Sequence, residues 1–182
     1  MKKIKFSGLF ILTVMLSTNT FAQTKMVGGA KMYPTKNIVE NAMNSKDHTT
    51  LVAAVKAAGL VSALESKGPF TVFAPTNEAF DALPKGTVET LLKPGNKAKL
   101  TSILTYHVVP GKLSSMDLMK RVKENNGKAA LKTAEGEDLY ITMKEKNLMI
   151  TDTKGNTAKI TIADVNQSNG VIHVINKVLM PE

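Results

Sequence analysis

Three residues have the types that acid–base chemistry needs: His107 in LTYHVVPGKL, His173 in NGVIHVINKVLMP, and Asp164 shortly before the second. Imidazole exchanges a proton near neutral pH, so either histidine could serve as a general base or a ligand, with Asp164 as third partner. Both histidines lie among apolar neighbours, however. That is the setting of a packed histidine making one or two hydrogen bonds. Zinc would require three or four ligands, and the sequence has no cysteine and no HExxH spacing. His48 reads as a solvated residue at a helix start.

Other chemistries find less support. There is no GxSxG elbow, and the serines and threonines fall at caps and turns where backbone hydrogen bonding accounts for them. Glu135, Glu137 and Asp138 cluster in an apparent turn rather than facing each other across a sugar. Neither GxxxxGK[ST] nor GxGxxG occurs. Met26, Met32, Met43, Met116 and Met119 could offer thioethers to copper(I), but no histidine or third methionine joins Met116 and Met119 at helical spacing, and core filling is the simpler role. The expectation is a protein without catalytic residues, metal or cofactor. A hydrolase using His107 or His173 as general base is the alternative.

The start of the chain looks like an address. Lys2, Lys3 and Lys5 precede an apolar run from Leu9 to Leu16, and Thr20-Phe21-Ala22 suits cleavage near Ala22, so residues 1–22 read as a signal peptide. The apolar run is too short to span ~30 Å of hydrocarbon. No cysteine follows to carry a lipid or a disulfide. The expectation is a secreted protein, periplasmic or at the cell surface, with no transmembrane segment after cleavage. Taking three lysines from 24 basic residues leaves 21 against 15 acidic ones, a net charge of +6. That surplus favours anionic partners such as acidic polysaccharide. Nucleic acid is disfavoured, since Arg121 is the sole arginine and no aromatic platform is available for bases.

The elements that must position these residues are organised around Gly68 to Pro84, GPFTVFAPTNEAFDALP, which holds every phenylalanine beyond residue 22. Phe70 to Ala74 reads as a core strand closed by Pro75. Thr76 then caps a helix over 77–83. Residues 23–34 contain Gly28-Gly29 and few large side chains, which predicts a flexible lead-in. Helices are predicted over 37–43, over 50–58 with Gly59 as its stop, over 60–64, 87–92 and 97–107, and from Ser114 or Ser115 to Val122, the last with Met116, Met119 and Leu118 on its apolar side. Beyond Asn125-Asn126-Gly127 the rhythm alternates. Leu139, Ile141, Met143, Leu148, Ile150, Ile160 and Ile162 mark an antiparallel meander, and Asn169-Gly170 marks a tight turn with positive backbone angles before a closing strand over 171–178. Helices first and strands later predict a single α+β domain over 35–182.

FTVFAPTNEAF, LTYHVVPGKL and NGVIHVINKVLMP, in that order and spacing, resemble the three signatures of the fasciclin domain, an extracellular adhesion module. The resemblance implies a wedge of about seven strands with helices packed along it. It also implies a binding role towards cell-surface or matrix components. In that family, recognition has been attributed to a tyrosine-histidine segment and an aspartate-isoleucine pair. Tyr106 and His107 match the first, and Asp164 matches the aspartate, while Val165 stands in place of the isoleucine. The implied partner-binding set is Asp164, Val165, Tyr106 and His107. Apolar residues around Tyr106 and His107 leave two roles open, direct contact or support of a nearby loop, and Asp164 is the residue expected to be exposed.

Overall fold

The computed structural model describes residues 24–182, so the signal peptide and its cleavage near Ala22 lie outside the described residues. The chain begins with a hairpin, β1 (Lys25–Val27) and β2 (Ala30–Met32). This corrects the expected flexible lead-in over 23–34. Val27 and Met32 are both buried in the core, and their burial outweighs the chain entropy that Gly28-Gly29 would otherwise keep.

Helices follow. In α1 (Ile38–Ala42), Asn37 and Glu40 form a reciprocal capping box. In α2 (Thr49–Ala58), the Thr50 amide donates to Oδ1 of Asn77, 27 positions further along the chain, and Gly59, at φ 74°, ends the helix in the left-handed conformation. A short α3 (Val61–Glu65) precedes the strand β3 (Phe70–Pro75). Pro75 remains at the end of the ladder, opposite Ile175. Thr76 caps α4 (Asn77–Asp81) by accepting from the Ala79 amide, and α5 (Thr87–Leu91) and α6 (Lys97–Tyr106) follow. Strand β4 (Val108–Pro110), which the Pro-Gly signal had masked, comes next. Ser114 caps α7 (Ser115–Glu124), whose buried face is Leu118 and Val122, whereas Met116 points outward at 74% exposure.

The remaining strands are β5 (Lys128–Lys132), β6 (Asp138–Lys144), β7 (Asn147–Thr151), β8 (Thr157–Gln167) and β9 (Gly170–Ile175). With β3 and β4 they make one seven-stranded sheet in the order β4-β3-β9-β8-β7-β6-β5. All pairs are antiparallel except β3 with β9. The expected α+β architecture of about seven strands is therefore present. Beyond β5, the Ala134 amide donates to the Val108 carbonyl at 2.7 Å, so the two ends of the sheet come together. The β8–β9 connection consists of Ser168 and Asn169, neither with positive φ, and Gly170 is already in the ladder. Its role is steric, because a Cβ there would collide with the main chain of Phe70.

The sheet separates two apolar clusters. Val72, Ala74, Ile172 and Val174 face the helices α1, α2 and α6, while Phe73 and Ile175 face a second cluster with Leu118, Leu139, Ile141 and Ile150. Strand alternation in β3 and β9 supplies both sides at once.

Candidate functional site

Tyr106 and His107 close α6 and lead into β4, and neither reaches solvent. The Tyr106 hydroxyl donates to the Asp138 carbonyl at 3.0 Å and accepts from the Thr153 amide at 3.2 Å. His107 Nδ1 bonds the Ile103 carbonyl at 2.8 Å, and its Nε2 accepts from the Leu179 amide at 3.0 Å. Those partners define a neutral ring with the proton on Nδ1. Burial drives its pKa down from the usual 6.5 to about 4.

His173 is built the same way. Its Nε2 bonds the Leu113 carbonyl at 2.8 Å, its Nδ1 accepts from the Asp164 amide at 3.3 Å, and its ring stacks on Phe73 with centroids 5.7 Å apart. Burial lowers its pKa as well. His107 and His173 thus hold separate main-chain segments rather than a common reacting atom.

Asp164 lies in the irregular part of β8, where the register with β9 shifts, at φ 56°. An aspartate tolerates that left-handed backbone better than most residues. Its carboxylate is turned inward, with Oδ1 accepting from the Ser115 amide at 2.6 Å and Oδ2 from the Ser115 hydroxyl. The first turn of α7 thereby gains an anionic acceptor besides Ser114. Val165 is 1% exposed in the helix-side cluster. Of the four residues implied as partner-binding, Tyr106, His107 and Val165 are interior and only Asp164 is partly accessible. A side chain sealed in the core touches no partner in this conformation, and of the two roles left open for Tyr106 and His107 burial fits support of the nearby loop.

Sequence pattern also missed three polar anchors. His48 is buried, not solvated, with Nδ1 against Ser45 Oγ at 2.8 Å and no partner on Nε2. Asp152 accepts from the Met180 amide, and Asn169 joins the Ile38 amide to the carbonyls of Leu64 and Ser66. The bonds of Asp152 and Asn169 cross distant sequence, where no local spacing signals the pairing, and the burial of His48 is likewise set by packing rather than by its neighbours in the chain.

The fasciclin domain family matches residues 46–181, most of the chain. The chain belongs to that family. Protein sll1483 of a Synechocystis strain is 47% identical over 167 residues, covering 92% of this chain and 86% of that protein. The transforming growth factor-beta-induced protein ig-h3 of Sus scrofa is 43% identical over 131 residues, 72% of this chain but 17% of the longer protein. The immunogenic protein MPB70 of Mycobacterium bovis is 36% identical over 145 residues, covering 77% and 66%. A solved FAS1 domain pair from the insect cell adhesion molecule fasciclin I superposes with a TM-score of 0.72 at 18% identity, over 80% of this chain and 51% of that one. That likeness is of fold. Within the fasciclin frame the tyrosine-histidine signature is a knot of main-chain hydrogen bonds. Among the described residues no helix is long and apolar enough to cross a membrane.

Proposed function

We propose that this fasciclin domain is a secreted, non-catalytic adhesion module that associates with a cell-surface or matrix component, protein or acidic polysaccharide. The observation that carries this reading is the complete pairing of His107 and His173: all four ring nitrogens already have a partner, and both rings are buried. A general base needs an accessible lone pair near its substrate, which counts against the hydrolase alternative. The signatures then act as framework, and recognition falls to the surface they shape.

Three segments meet around the irregular part of β8. Lys25 Nζ of the hairpin donates to the Ala163 carbonyl at 2.5 Å, Ser115 of α7 holds Asp164, and Met116 follows it into solvent. In this proposal Asp164 orders the surface, Tyr106, His107 and Val165 support it from within, and Met116 offers an apolar contact. The test is a pull-down from envelope and matrix fractions with the parent and Met116→Asp, at ~50 and 200 mM salt. Retention of a partner by the parent at both salts, and its loss in the variant, is expected. Turnover of an ester or glycan panel that vanishes in His107→Ala with the fold intact would overturn the proposal. So would a parent that retains nothing.

A further inference from the structure

Between α1, α2, α3 and the helix-facing side of β3 the core is incomplete. A cavity of about 340 Å³ opens there, its floor formed by Val39, Val55, Val72 and Ile172 and its rim by Val52 and Leu64. Helix α3 shows the underpacking directly. None of its residues is buried, although Val61 and Leu64 line the void. Val61 and Leu64 pack against the helix-side cluster only in part, and the end of α3 is also tied by two bonds from Asn169 Nδ2 to the carbonyls of Leu64 and Ser66 at 2.8 and 2.9 Å.

Water is a poor occupant of this space, because it needs two to four polar partners and the walls are almost wholly apolar, with the hydroxyl and ring donors already used. The Thr105 hydroxyl donates to the Thr101 carbonyl at 2.8 Å, the Ser66 hydroxyl to the Ala63 carbonyl at 2.7 Å, and both His107 nitrogens are paired. The one charged residue on the wall is Lys56, exposed at the last turn of α2. Among the described residues it makes no ion pair, those present being Lys120–Glu124 and Lys132–Asp138.

We infer that the cavity binds one slender apolar chain ending in an anionic group, a ligand of the fatty-acid class, with its carboxylate at Lys56. The volume lies at the lower end of the ~300 to 1,000 Å³ typical of small-molecule sites, which fits a single chain. An apolar chain would bury the exposed faces of Leu60, Val61 and Leu64 and complete the core. This inference is independent of the adhesion reading, since the cavity lies on the helix side of β3 and uses none of the surface around Asp164.

The test uses dansyl-labelled undecanoate, followed by fluorescence and displaced by palmitate below its aggregation concentration. Saturation at one probe per chain, displacement by palmitate and a raised melting temperature are expected. Val52→Trp fills the mouth from a half-exposed helix position and should abolish binding while leaving the melting temperature of the free protein within a few degrees of the parent. Lys56→Ala should weaken the acid about fivefold, the range of an exposed ion pair, without affecting the matching long-chain alcohol. Absence of saturable binding to the parent would overturn the inference. So would a folded Val52→Trp that binds like the parent, or a Lys56→Ala that weakens acid and alcohol alike.

Discussion

His107 reaches across the fold to Leu179, accepting that residue's amide on Nε2 at 3.0 Å and so tying the end of α6 to the last residues of the chain. The Asp152 carboxylate takes the next amide, that of Met180, also at 3.0 Å. Two neighbouring amides of the closing segment therefore depend on one neutral imidazole and one carboxylate.

The neutral imidazole makes stability depend on pH. His107 titrates at about 4 when folded against about 6.5 when unfolded, so the unfolded chain binds more protons between those values. Its contribution is fully present above pH 6.5 and is lost as pH falls towards 4, by about 3 kcal/mol across the window. His48 and His173 are shifted in the same direction. Urea denaturation at pH 7 and pH 4.5 should show the loss, reduced in His107→Gln; a parent equally stable at both pH values would contradict it.

Tyr106→Phe removes a hydroxyl that serves two main-chain groups, on β6 and in the β7–β8 turn. The ring stays in place and the packing survives. We expect a loss of about 1 to 2 kcal/mol with unchanged circular dichroism, because the Asp138 carbonyl and Thr153 amide lose a partner. A variant as stable as the parent would show that water replaces the hydroxyl at no cost.

Phe73 is fully buried against His173 and the second cluster, so Phe73→Ala should cost roughly 3 to 5 kcal/mol through the cavity it leaves. Thermal unfolding measures it. A melting point within a degree or two of the parent would remove Phe73 from the centre of the core.

Asp164 carries two separable roles, a left-handed backbone and an acceptor for Ser115. Asp164→Asn keeps much of both, while Asp164→Ala strains the backbone and leaves the Ser115 amide without its acceptor. The alanine variant should be less stable by about 2 kcal/mol and the asparagine variant by less than half of that. Equal losses would mean that the negative charge, rather than the backbone or the hydrogen bond, dominates.

Gly170→Ala places a Cβ against the Phe70 main chain, which can yield only by separating β3 from β9. A cost of about 3 kcal/mol, the upper end for overpacking, is expected in chemical denaturation. A near-neutral result would mean that the parallel pair opens locally without consequence for the sheet.

Sequence alone determined the elements that carry strong local signals: the core strand after Gly68-Pro69, the Thr76 cap and a serine cap at Ser114 or Ser115, the Gly59 helix stop, the late meander and the three signatures that mark the family. These features act over a few residues, where spacing and backbone preference are enough. Tertiary structure decided the rest. The hairpin over 25–32 is held by burial of Val27 and Met32, which its glycine-rich composition conceals. Strand β4 exists because β3 is beside it, despite the Pro-Gly that suggested only a helix stop. The inward turn of Asp164 depends on Ser115, and the pairing of His107 depends on Leu179, across 49 and 72 positions. The cavity below α3 is drawn from several segments, none of which is unusual by itself. Local patterns specify which way a chain segment folds, whereas the groups that satisfy a buried polar atom, or fail to fill a space, are chosen only when distant segments meet.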